Sequence, residues 1–468
     1  MKIDLPESVL EILDKFDGFG YEIYIVGGAV RDLLMGRLVN DWDFATNATP
    51  EQILKVIPEG FYDNQFGTVG LTVEDYKKPF EITTYRTEEG YSDARHPDKI
   101  SWGKTLEEDL SRRDFTINAM ALGAVQSTKH KAQSEKTKYS VLGTVYLIDP
   151  FNGQSDIDKG IIKAVGNADD RFSEDALRMM RVIRIAGELG FNIQGDTFDA
   201  IKKNAPLINK IAKERVKEEL FKLISSPNPY DGILLFRNSG LMQEILPELE
   251  KCFGVEQKSP GRHHIYDVGT HLLMALKFCK SEDTVTRFAT LIHDIGKPQT
   301  YRKLENGTIT FYNHEMVSTK IAESIADRLR FSKKEKDKLI ILVRWHQFTV
   351  DEHQTDSAIR RVLRNVGLEN MDDMLALRVA DRLGGGARET SWRLEEFKAR
   401  LIEVQKQPFS IKDLKIDGND VMKVLRLRSG PEVGKILSDL FEKVVNKEIE
   451  NNKENLTSEL KKFNDLDQ

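Results

Sequence analysis

The chain has 468 residues, which at roughly 150 residues per domain predicts about three domains. Hydrophobic residues make up 40% and charged residues 31%, a balance typical of globular proteins that excludes intrinsic disorder for the chain as a whole. With 69 Lys and Arg against 75 Asp and Glu, the formal net charge is −6. This charge excludes a uniformly basic nucleic-acid-binding surface but leaves room for a local basic site.

Cysteine content and hydropathy narrow the protein class further. Cys252 and Cys279 are too few for a disulfide framework, and they fit a reducing cytoplasm. No stretch approaches about 18 consecutive apolar residues, so we expect neither secretion nor membrane spanning. The sequence therefore predicts a cytoplasmic protein.

Up to about residue 125 the sequence alternates short strands with short helices. The apolar, β-rich runs predict strands over Tyr21–Val26, Asp41–Ala45, Gly67–Val73 and Phe80–Arg86, and a short helix over Ala29–Met35. Residues 126–140 are polar and aperiodic, which predicts an exposed loop within the first domain. From about Glu174 almost every segment has helical periodicity. The pattern favours a mixed head followed by a helical body and tail.

A glycine turn, an arginine and two aspartates follow one another in the first domain: Gly27, Gly28, Arg31, Asp41 and Asp43. Residues two apart on a strand point to the same face, so the two aspartates should project together. Such carboxylates repel each other unless a cation lies there, and their hard oxygen atoms favour Mg²⁺. The glycines let the backbone approach a triphosphate, and the arginine is placed to contact a phosphate. The alternative is a solvated strand edge beside an ordinary turn.

A third carboxylate and a second motif extend this pattern. Glu81, on the strand Phe80–Arg86, is a candidate third carboxylate or an ordinary surface residue.

The order of turn, helix and carboxylate strand resembles the nucleotidyltransferase fold of the DNA polymerase β superfamily. Arg112–Met120 reads RRDFTINAM and is similar to the signature of class II tRNA nucleotidyltransferases and bacterial poly(A) polymerases. Adjacent arginines suit a triphosphate and the aspartate suits a ribose hydroxyl, so we expect Arg113 and Asp114 to bind the nucleotide. The alternative is a structural cluster of salt bridges.

An arginine-rich segment follows the first domain, with Arg178, Arg181 and Arg184 spaced three apart. We expect a helix that begins with Ser173 as its N-cap and carries Asp175 in its first turn. The segment resembles the nucleobase-reading motif of the same family. The resemblance implies that Asp175 and Arg178 pair with the incoming base, and that Arg181 and Arg184 contact the nucleotide or its phosphates. The alternative is a helix salt-bridged to its neighbours.

Two further segments refine the family resemblance. Glu214–Leu220 is similar to the motif that closes the neck and braces the arginine helix, so we expect it to be structural. The stretch from Thr84 to Asp98 is similar to the flexible loop of enzymes that add the terminal A; it contains Arg86, Glu89, Tyr91, Arg95, His96 and Pro97. Two alternatives to CCA addition stay open. One is A-only addition, and the other is poly(A) synthesis, because bacterial poly(A) polymerases share the earlier motifs.

A second set of chemical residues lies in the helical half: His271, His293, Asp294, His314, His346 and Asp381. Imidazoles and carboxylates from separate helices can converge on a divalent metal, and a bound metal would activate water toward a phosphate ester. Histidines with only structural roles are the alternative. The HDIGK string at His293–Lys297 resembles the HD phosphohydrolase superfamily, which implies metal ligation by His271, His293, Asp294 and Asp381. His314 and His346 would support a second metal, and His263 and His264 are candidate phosphate contacts.

Together these resemblances imply an α+β protein with a polymerase-β-like head and an all-α neck, body and tail. The expected domains are a catalytic head (1–150), a neck and body with the base-reading helix (151–250), an HD domain (251–390) and a tail that contacts tRNA (391–468). The implied activity is template-independent addition of CMP, CMP and AMP to the tRNA 3′ end from CTP and ATP, with release of pyrophosphate. Mg²⁺ would act in the head, and a divalent transition metal in the HD site.

Two alternatives from other classes stay open. One is an HD phosphohydrolase that acts on phosphate esters and has a head that only binds nucleotides. The other is an RNA-binding protein without catalysis, which would leave both sets of predicted metal ligands idle.

Overall fold

The computed structural model describes residues 3–64, 67–89, 99–124, 139–142, 145–257, 265–348, 355–405, 411–445 and 448–464. The chain divides into two units, residues 1–250 with 328–330 and residues 251–327 with 331–468. The first unit carries a large mixed sheet and the second is almost entirely helical, which confirms the predicted α+β class. Among the described residues, no helix is long and apolar enough to cross a membrane.

The first unit is built from short strands and helices. Its strands are β1 (Ile23–Val26), β2 (Asp43–Thr46), β3 (Phe61–Asn64), β4 (Thr68–Leu71), β5 (Phe80–Thr84), β6 (Arg86–Glu89), β7 (Lys99–Trp102), β8 (Ala121–Ala124), β9 (Tyr139–Leu142), β10 (Val145–Ile148), β11 (Ile161–Ile162) and β12 (Asn192–Ile193). Its helices are α1 (Glu7–Gly18), α2 (Gly28–Leu34), α3 (Pro50–Val56), α4 (Leu106–Ser111), α5 (Gly153–Asp158), α6 (Ala168–Glu174), α7 (Leu177–Leu189), α8 (Gly195–Asn204), α9 (Lys213–Ile224), α10 (Pro229–Asn238), α11 (Leu241–Ile245) and α12 (Pro247–Glu250).

The second unit is a set of helices with one small two-stranded sheet. The helices are α13 (Val268–Phe278), α14 (Thr284–Ile292), α15 (Lys297–Thr300), α16 (His314–Arg328), α17 (Lys333–Trp345), α18 (Asp356–Val366), α19 (Met371–Gly384), α20 (Trp392–Gln405), α21 (Gly418–Leu425), α22 (Pro431–Val445) and α23 (Lys453–Asn464). The strands are β13 (Arg302–Lys303) and β14 (Ile309–Thr310). Four 3-10 helices complete the described structure: Thr116–Asn118, Ala205–Lys210, Leu368–Asn370 and Ile411–Asp413.

The glycine turn and two of the carboxylates lie on adjacent strands of an eight-stranded sheet, in the order β3–β4–β5–β2–β1–β8–β10–β9. β1 runs antiparallel to β2 and pairs Val26 with Asp43, while β5 runs parallel to β2 and pairs Glu81 with Asp43. The turn that follows β1 therefore lies beside Asp43, and the two carboxylates stand on neighbouring strands. Phe44 and Ile82, the next residues along β2 and β5, belong to the buried core that includes α1 and α3.

Three strand boundaries differ from the prediction. β2 begins at Asp43, so Asp41 precedes the strand and is exposed. The run Phe80–Arg86 forms two strands, β5 and β6, with Tyr85 between them. The N–H of Tyr85 donates to the carbonyl of Thr46, whereas the carbonyl of Tyr85 accepts from the N–H of Gly103. The chain therefore changes its hydrogen-bonding partner at Tyr85. Residues 139–140, predicted to lie in a loop, begin β9; residues 125–138 lie outside the described part of the chain.

The arginine helix does not begin at Ser173, so that prediction was wrong. Ser173 lies inside α6, where its hydroxyl donates to the carbonyl of Asp169 at 2.8 Å. Asp175 interrupts the helix with an extended backbone (φ −139°, ψ 104°), and its Oδ1 accepts from the N–H of Leu177 at 2.9 Å. The aspartate therefore caps α7, because its carboxylate satisfies an N–H that the helix itself leaves unpaired.

Helix packing in the second unit gathers the predicted histidines and aspartates. α13, α14, α17 and α19 contact one another. His271 lies within α13 and Asp381 within α19, while His293 and His346 directly follow α14 and α17. The last three helices, α21 to α23, share a separate apolar core.

Candidate active site

A cavity of about 460 Å³ lies where β1 ends, and most of the predicted nucleotide-site residues line it. The predicted residues in its lining are Gly27, Gly28, Asp43, Glu81, Arg113, Asp114, Asp175, Arg178 and Arg181. Arg31, Asp41 and Arg184 are absent from its described lining. The structure therefore brings the turn, three of the predicted aspartates and part of the arginine helix around one space.

Asp43 stands between the glycine turn and Glu81. Gly27 has φ +73° and ψ −141°, a conformation that only glycine adopts readily. A Cβ at Gly27 would lie 3.1 Å from Oδ2 of Asp43 and 3.1 Å from Nη1 of Arg113, so the close approach also requires glycine. Burial raises the pKa of Asp43 to about 7; Arg113 opposes the rise, and Glu81 and Asp41 add to it. Carboxylates crowded in this way suit a bound cation.

Asp41 lies outside this cavity. Its exposed carboxylate accepts from Nζ of Lys78 at 2.5 Å. Exposed ion pairs of this kind are weak, so the lysine does little to fix the Asp41 carboxylate in place.

Asp109, which the sequence analysis did not single out, holds both arginines of the RRDFTINAM motif. Its buried carboxylate accepts from Nε and Nη2 of Arg112 through Oδ1, and from Nε and Nη2 of Arg113 through Oδ2 at 3.3 and 3.1 Å. Burial acts to raise the pKa of Asp109, but the two guanidinium groups hold it below its usual range. The signal in the sequence was the spacing of three and four residues, which places an acid one helical turn before two bases.

Asp114 connects the head to the arginine helix. Its Oδ1 accepts from the N–H of Phe115 at 2.9 Å and from Nδ2 of Asn118 at 3.2 Å, and its Oδ2 accepts from Nε and Nη2 of Arg181 at 2.8 and 2.7 Å. Burial opposes ionisation, yet Arg181 and Arg178 hold the pKa of Asp114 below its usual range. The carboxylate is therefore ionised, and Asp114 lines the cavity.

Arg178 and Asp175 lie at the cavity but contact protein groups. Arg178 donates to Oε2 of Glu174 at 2.6 Å and to the carbonyl of Arg112 at 3.3 Å. Oδ2 of Asp175 lies 3.5 Å from Nη2 of Arg215 on α9. A base that enters the cavity would exchange with these contacts.

Arg184 faces away from the cavity. It donates to Oε2 of Glu219 on α9 at 2.7 Å and to both carboxylate oxygens of Glu188 at 2.7 Å. Since Glu219 and Arg215 both belong to the segment Glu214–Leu220, that segment braces the arginine helix, as the sequence predicted.

Arg31 also contacts protein groups rather than the open cavity. Its Nε donates to Asp32 at 2.9 Å, and its Nη1 donates to Oδ1 of Asn118 at 3.0 Å. Because Asn118 also donates to Asp114, Arg31 supports the Asp114 carboxylate through one intermediate side chain.

The other lining residues are of two kinds. Thr68, Thr83 and Arg86 come from strands and could not be read from a motif, and the same is true of Val26 and Phe44. Arg112 and Asn118 belong to the RRDFTINAM motif. Thr68 and Thr83 share a hydrogen bond of 3.0 Å across β4 and β5. Of the predicted flexible loop, Tyr91, Arg95, His96, Pro97 and Asp98 lie outside the described residues.

In the second unit, the structure brings all six predicted histidines and aspartates together. One group is His271, His293, Asp294 and Asp381, and a second is Asp294, His314 and His346; within each group the ligand atoms lie within 4.8 Å of one another. Asp294 belongs to both groups. His263 and His264 lie outside the described residues.

Three of these histidines have the same anchoring. Nδ1 of His293, His314 and His346 each lies 2.8 Å from the carbonyl oxygen of the residue three positions earlier. A carbonyl only accepts, so Nδ1 carries a proton and Nε2 points into the cluster, where its lone pair becomes available to a metal once any proton on that nitrogen has left. Burial lowers the pKa of His293, but Asp294 and Asp381 outweigh it and raise the pKa to about 10. The cluster therefore attracts positive charge, and its donor set fits a divalent metal.

Charged neighbours complete this cluster. Nζ of Lys297 lies 2.5 Å from Oδ2 of Asp294 and donates to Oε1 of Gln257 at 2.7 Å. Asp381 faces two ways: its Oδ1 lies 3.2 Å from Nε2 of His271, while its Oδ2 accepts from Nη1 of Arg378 at 3.1 Å.

Comparison with sequence families assigns three parts of the chain. Residues 23–163 match the poly A polymerase head domain, residues 190–253 match the "Probable RNA and SrmB- binding site of polymerase A", and residues 306–460 match tRNA nucleotidyltransferase domain 2. The matched head includes the glycine turn, Asp43, Glu81 and the RRDFTINAM motif.

Individual relatives extend the match. The CCA-adding enzyme of Lactococcus lactis is 32% identical over 99% of this chain and 100% of its own length. The CCA-adding enzyme of Ligilactobacillus salivarius is 43% identical over 236 residues, which are 50% of this chain and only 53% of that relative. The crystal structure of the Bacillus stearothermophilus CCA-adding enzyme in complex with CTP is 28% identical, with a TM-score of 0.70 over 98% of this chain and 97% of that one. The chain belongs to the CCA-adding enzyme family of nucleotidyltransferases.

Proposed function

We propose that this protein adds CMP, CMP and AMP in turn to the 3′ end of tRNA, from CTP and ATP. The observation that carries the proposal is the pairing of Asp43 with Glu81 beside the Gly27 turn, in a cavity also lined by arginines of the head and of α7. Solved relatives are described in complex with CTP, with ATP and with tRNA.

The reaction needs few chemical groups from the protein. The terminal ribose 3′-oxygen attacks the α-phosphorus, the bond to the bridging oxygen breaks, and pyrophosphate leaves. Arg113 and Arg112 would hold the triphosphate and stabilise the charge that develops on the leaving group. Asp114 would accept a hydrogen bond from a ribose hydroxyl and so favour ribonucleotides.

The carboxylates at the cavity fit a magnesium site. Asp41 and Asp43 would hold Mg²⁺, with Glu81 as a third oxygen donor, because crowding and burial raise the free energy of the ionised Asp43. Bound Mg²⁺ would favour ionisation of the attacking hydroxyl and neutralise phosphate charge.

Base selection would fall to Asp175 and Arg178. Both line the cavity. The Asp175 carboxylate supplies hydrogen-bond acceptors, and the Arg178 guanidinium supplies donors. These groups match the Watson–Crick edges of cytosine and adenine, so a protein surface could select both nucleotides. Arg181 would hold Asp114 in place and contact the nucleotide beside it.

Product length tests the proposal. Purified protein is incubated with tRNA that lacks its terminal CCA, with CTP alone, ATP alone and both. We expect addition of two residues with CTP alone and of three with both nucleotides. Addition of A only to tRNA that already ends in CC would favour the A-only alternative, and a long ladder with ATP would favour poly(A) synthesis. Asp43→Asn should abolish addition, whereas Asp75→Asn, a change at an exposed turn, should not.

The histidine–aspartate cluster favours a second function, hydrolysis of phosphate esters. The observation behind it is the common anchoring of three imidazoles, which directs their lone pairs to one place. A divalent transition metal bound there would activate water for the attack. The test is hydrolysis of p-nitrophenyl phosphate by protein loaded with Mn²⁺, with Asp294→Asn as the inactive variant and the exposed Asp337→Asn as its control. No hydrolysis by the loaded parent protein would exclude this function for a simple monoester.

We also propose that the protein is located in the cytoplasm. Cys252 and Cys279 are both buried free thiols, a state that suits a reducing compartment.

A further inference from the structure

A second cavity, in the second unit, has no role in the functions proposed so far. Its volume is about 450 Å³, and it is lined by Gln347, Phe348, Arg378, Arg382, Ser391, Trp392, Arg393 and Leu394. Three of these side chains carry a guanidinium group and two carry an aromatic ring. None of the described lining residues carries a carboxylate. The cavity therefore offers positive charge together with flat apolar surface.

Two chain segments connect this cavity to the histidine–aspartate cluster. Gln347 directly follows His346, and Arg378 and Arg382 flank Asp381 on α19. Asp381 itself faces His271 with one carboxylate oxygen and Arg378 with the other. An anion bound by the two arginines of α19 would therefore lie next to the cluster.

One N–H group of Arg382 has no hydrogen-bond acceptor among the described residues. Its side chain is half-buried, and its Nε is shielded from solvent without an acceptor among the described residues. A shielded guanidinium N–H costs free energy until it finds an acceptor, and phosphate oxygens match the geometry of the group. Arg378 is already oriented by Asp381 and lies with its guanidinium 5.7 Å from the Phe348 ring.

Trp392 supplies the apolar half of the site. Its side chain is 60% exposed although it lies at the start of α20 beside the cavity, and the guanidinium of Arg393 lies 5.0 Å from the ring. A large exposed indole next to arginines is a common platform for a nucleobase, because every base has a face that can stack on it.

We propose that this cavity, the arginine–tryptophan pocket, binds a mononucleotide. The phosphate contacts Arg378 and Arg382, and the base stacks on Trp392. The inference rests on the second function proposed above, since it names the substrate class that the cluster would receive. A nucleotide satisfies both halves of the pocket, whereas inorganic phosphate meets only the arginines and a nucleoside only the indole.

The test uses the full-length protein with AMP, inorganic phosphate and adenosine as separate probes, without added divalent metal. Binding is measured by calorimetry in an Asp43→Asn/Arg178→Ala background, so that the head contributes little to the signal. We expect AMP to bind at least tenfold more tightly than phosphate or adenosine. Arg382→Gln should weaken AMP binding at least tenfold, and Trp392→Ala should remove the preference for AMP over phosphate.

Arg388→Gln is the matched control, because Arg388 is an exposed arginine that does not line the pocket. Equal affinity of the Arg382→Gln and Arg388→Gln proteins for AMP would overturn the inference, and so would equal affinity of AMP and phosphate. Arg378→Gln replaces Arg382→Gln if circular dichroism shows that the latter is unfolded.

The p-nitrophenyl phosphate assay keeps the two proposals apart. Hydrolysis by a protein whose pocket fails to bind AMP overturns the pocket and supports the cluster. AMP binding by a protein without hydrolysis supports the pocket and overturns the cluster as an enzyme.

Discussion

Asp109 and Arg113 lie one helical turn apart, and the buried carboxylate of Asp109 accepts two N–H donors from the Arg113 guanidinium. The other oxygen of Asp109 holds Arg112 in the same way. The two arginines that would bind the triphosphate are thus oriented by one acid that does not line the cavity.

Asp109→Asn should weaken binding of CTP and ATP while leaving the shape of the head intact. Loss of the charge leaves two guanidinium groups without their partner, so we expect a KM increase of about tenfold, which corresponds to about 1.4 kcal/mol. Steady-state kinetics of CCA addition measure it, with Glu107→Gln on the exposed face of α4 as the control. Equal KM values in the two variants would contradict a positioning role for Asp109.

The stabilising effect of the same carboxylate should depend on pH. Its pKa is lower in the folded protein than the value of about 3.9 in an unfolded chain, so the unfolded state binds more protons between the two values. The difference in unfolding free energy between the parent protein and Asp109→Asn should be complete above about pH 5 and fall as the pH drops through the folded pKa. Urea unfolding at about pH 7, 5 and 3 measures it; a difference that grows toward acid would have the wrong sign.

Gly27→Ala and Gly28→Ala should differ sharply. A Cβ at Gly27 would be forced into a conformation reserved for glycine and would press on Asp43 and Arg113. A Cβ at Gly28 would meet the guanidinium of Arg31, with Nη2 nearest at 3.5 Å, which is an ordinary contact. We expect Gly27→Ala to lower kcat at least a hundredfold and to cost about 1–3 kcal/mol of stability. Gly28→Ala should keep most of the activity. Comparable kcat values for the two proteins would rule out the close approach at Gly27.

Arg178 and Arg184 should affect different properties of the enzyme. Arg178→Ala should relax the choice between CTP and ATP, because Arg178 lines the cavity. Arg184→Ala should instead destabilise the protein by about 2–3 kcal/mol, since it leaves the buried Glu219 without its main partner. Incorporation from mixed nucleotides and thermal unfolding separate the two effects. Altered selection in a stable Arg184→Ala protein would contradict the assignment.

The number of metal ions bound by the second unit should depend on Asp294, because this residue belongs to both groups of candidate ligands. His346→Gln should remove one of two bound metals, because His346 belongs to one group only, and Asp294→Asn should remove both. Metal analysis after dialysis against Mn²⁺ measures the stoichiometry. The parent protein should also gain thermal stability with metal, by about 2.7 kcal/mol at a hundred times Kd. Identical metal content in the two variants would show that the groups are not separate.

The sequence predicted those parts of the site that lie in contiguous motifs. Gly27, Asp43 and Asp114 reach one cavity because each lies in a short segment whose local geometry is fixed by a turn or a strand. Thr68 and Arg86 could not be found in this way, since their place in the lining depends on strand pairing. Asp41 is absent from the described lining because β2 begins two residues later than the alternating pattern suggests.

Arg184 shows where a periodic pattern misleads. At about 100° per residue, a spacing of three falls about 60° short of a full turn, so Arg184 lies about 120° around the helix from Arg178. That rotation carries it from the cavity to Glu219 on α9. Arg178 and Arg181 therefore line the cavity, whereas Arg184 contacts α9. Only the structure shows which acidic residue each arginine contacts.

The pairing of Asp43 with Glu81 also determines where this protein can tolerate changes in length. The two carboxylates meet through the register of two parallel strands, and the exposed residues 36–38 and 40 of the preceding connection take no part in it. Insertions there would lengthen a surface loop and leave the two carboxylates in place. Deletion of one residue within β5 would instead shift every later side chain to the opposite face of the sheet.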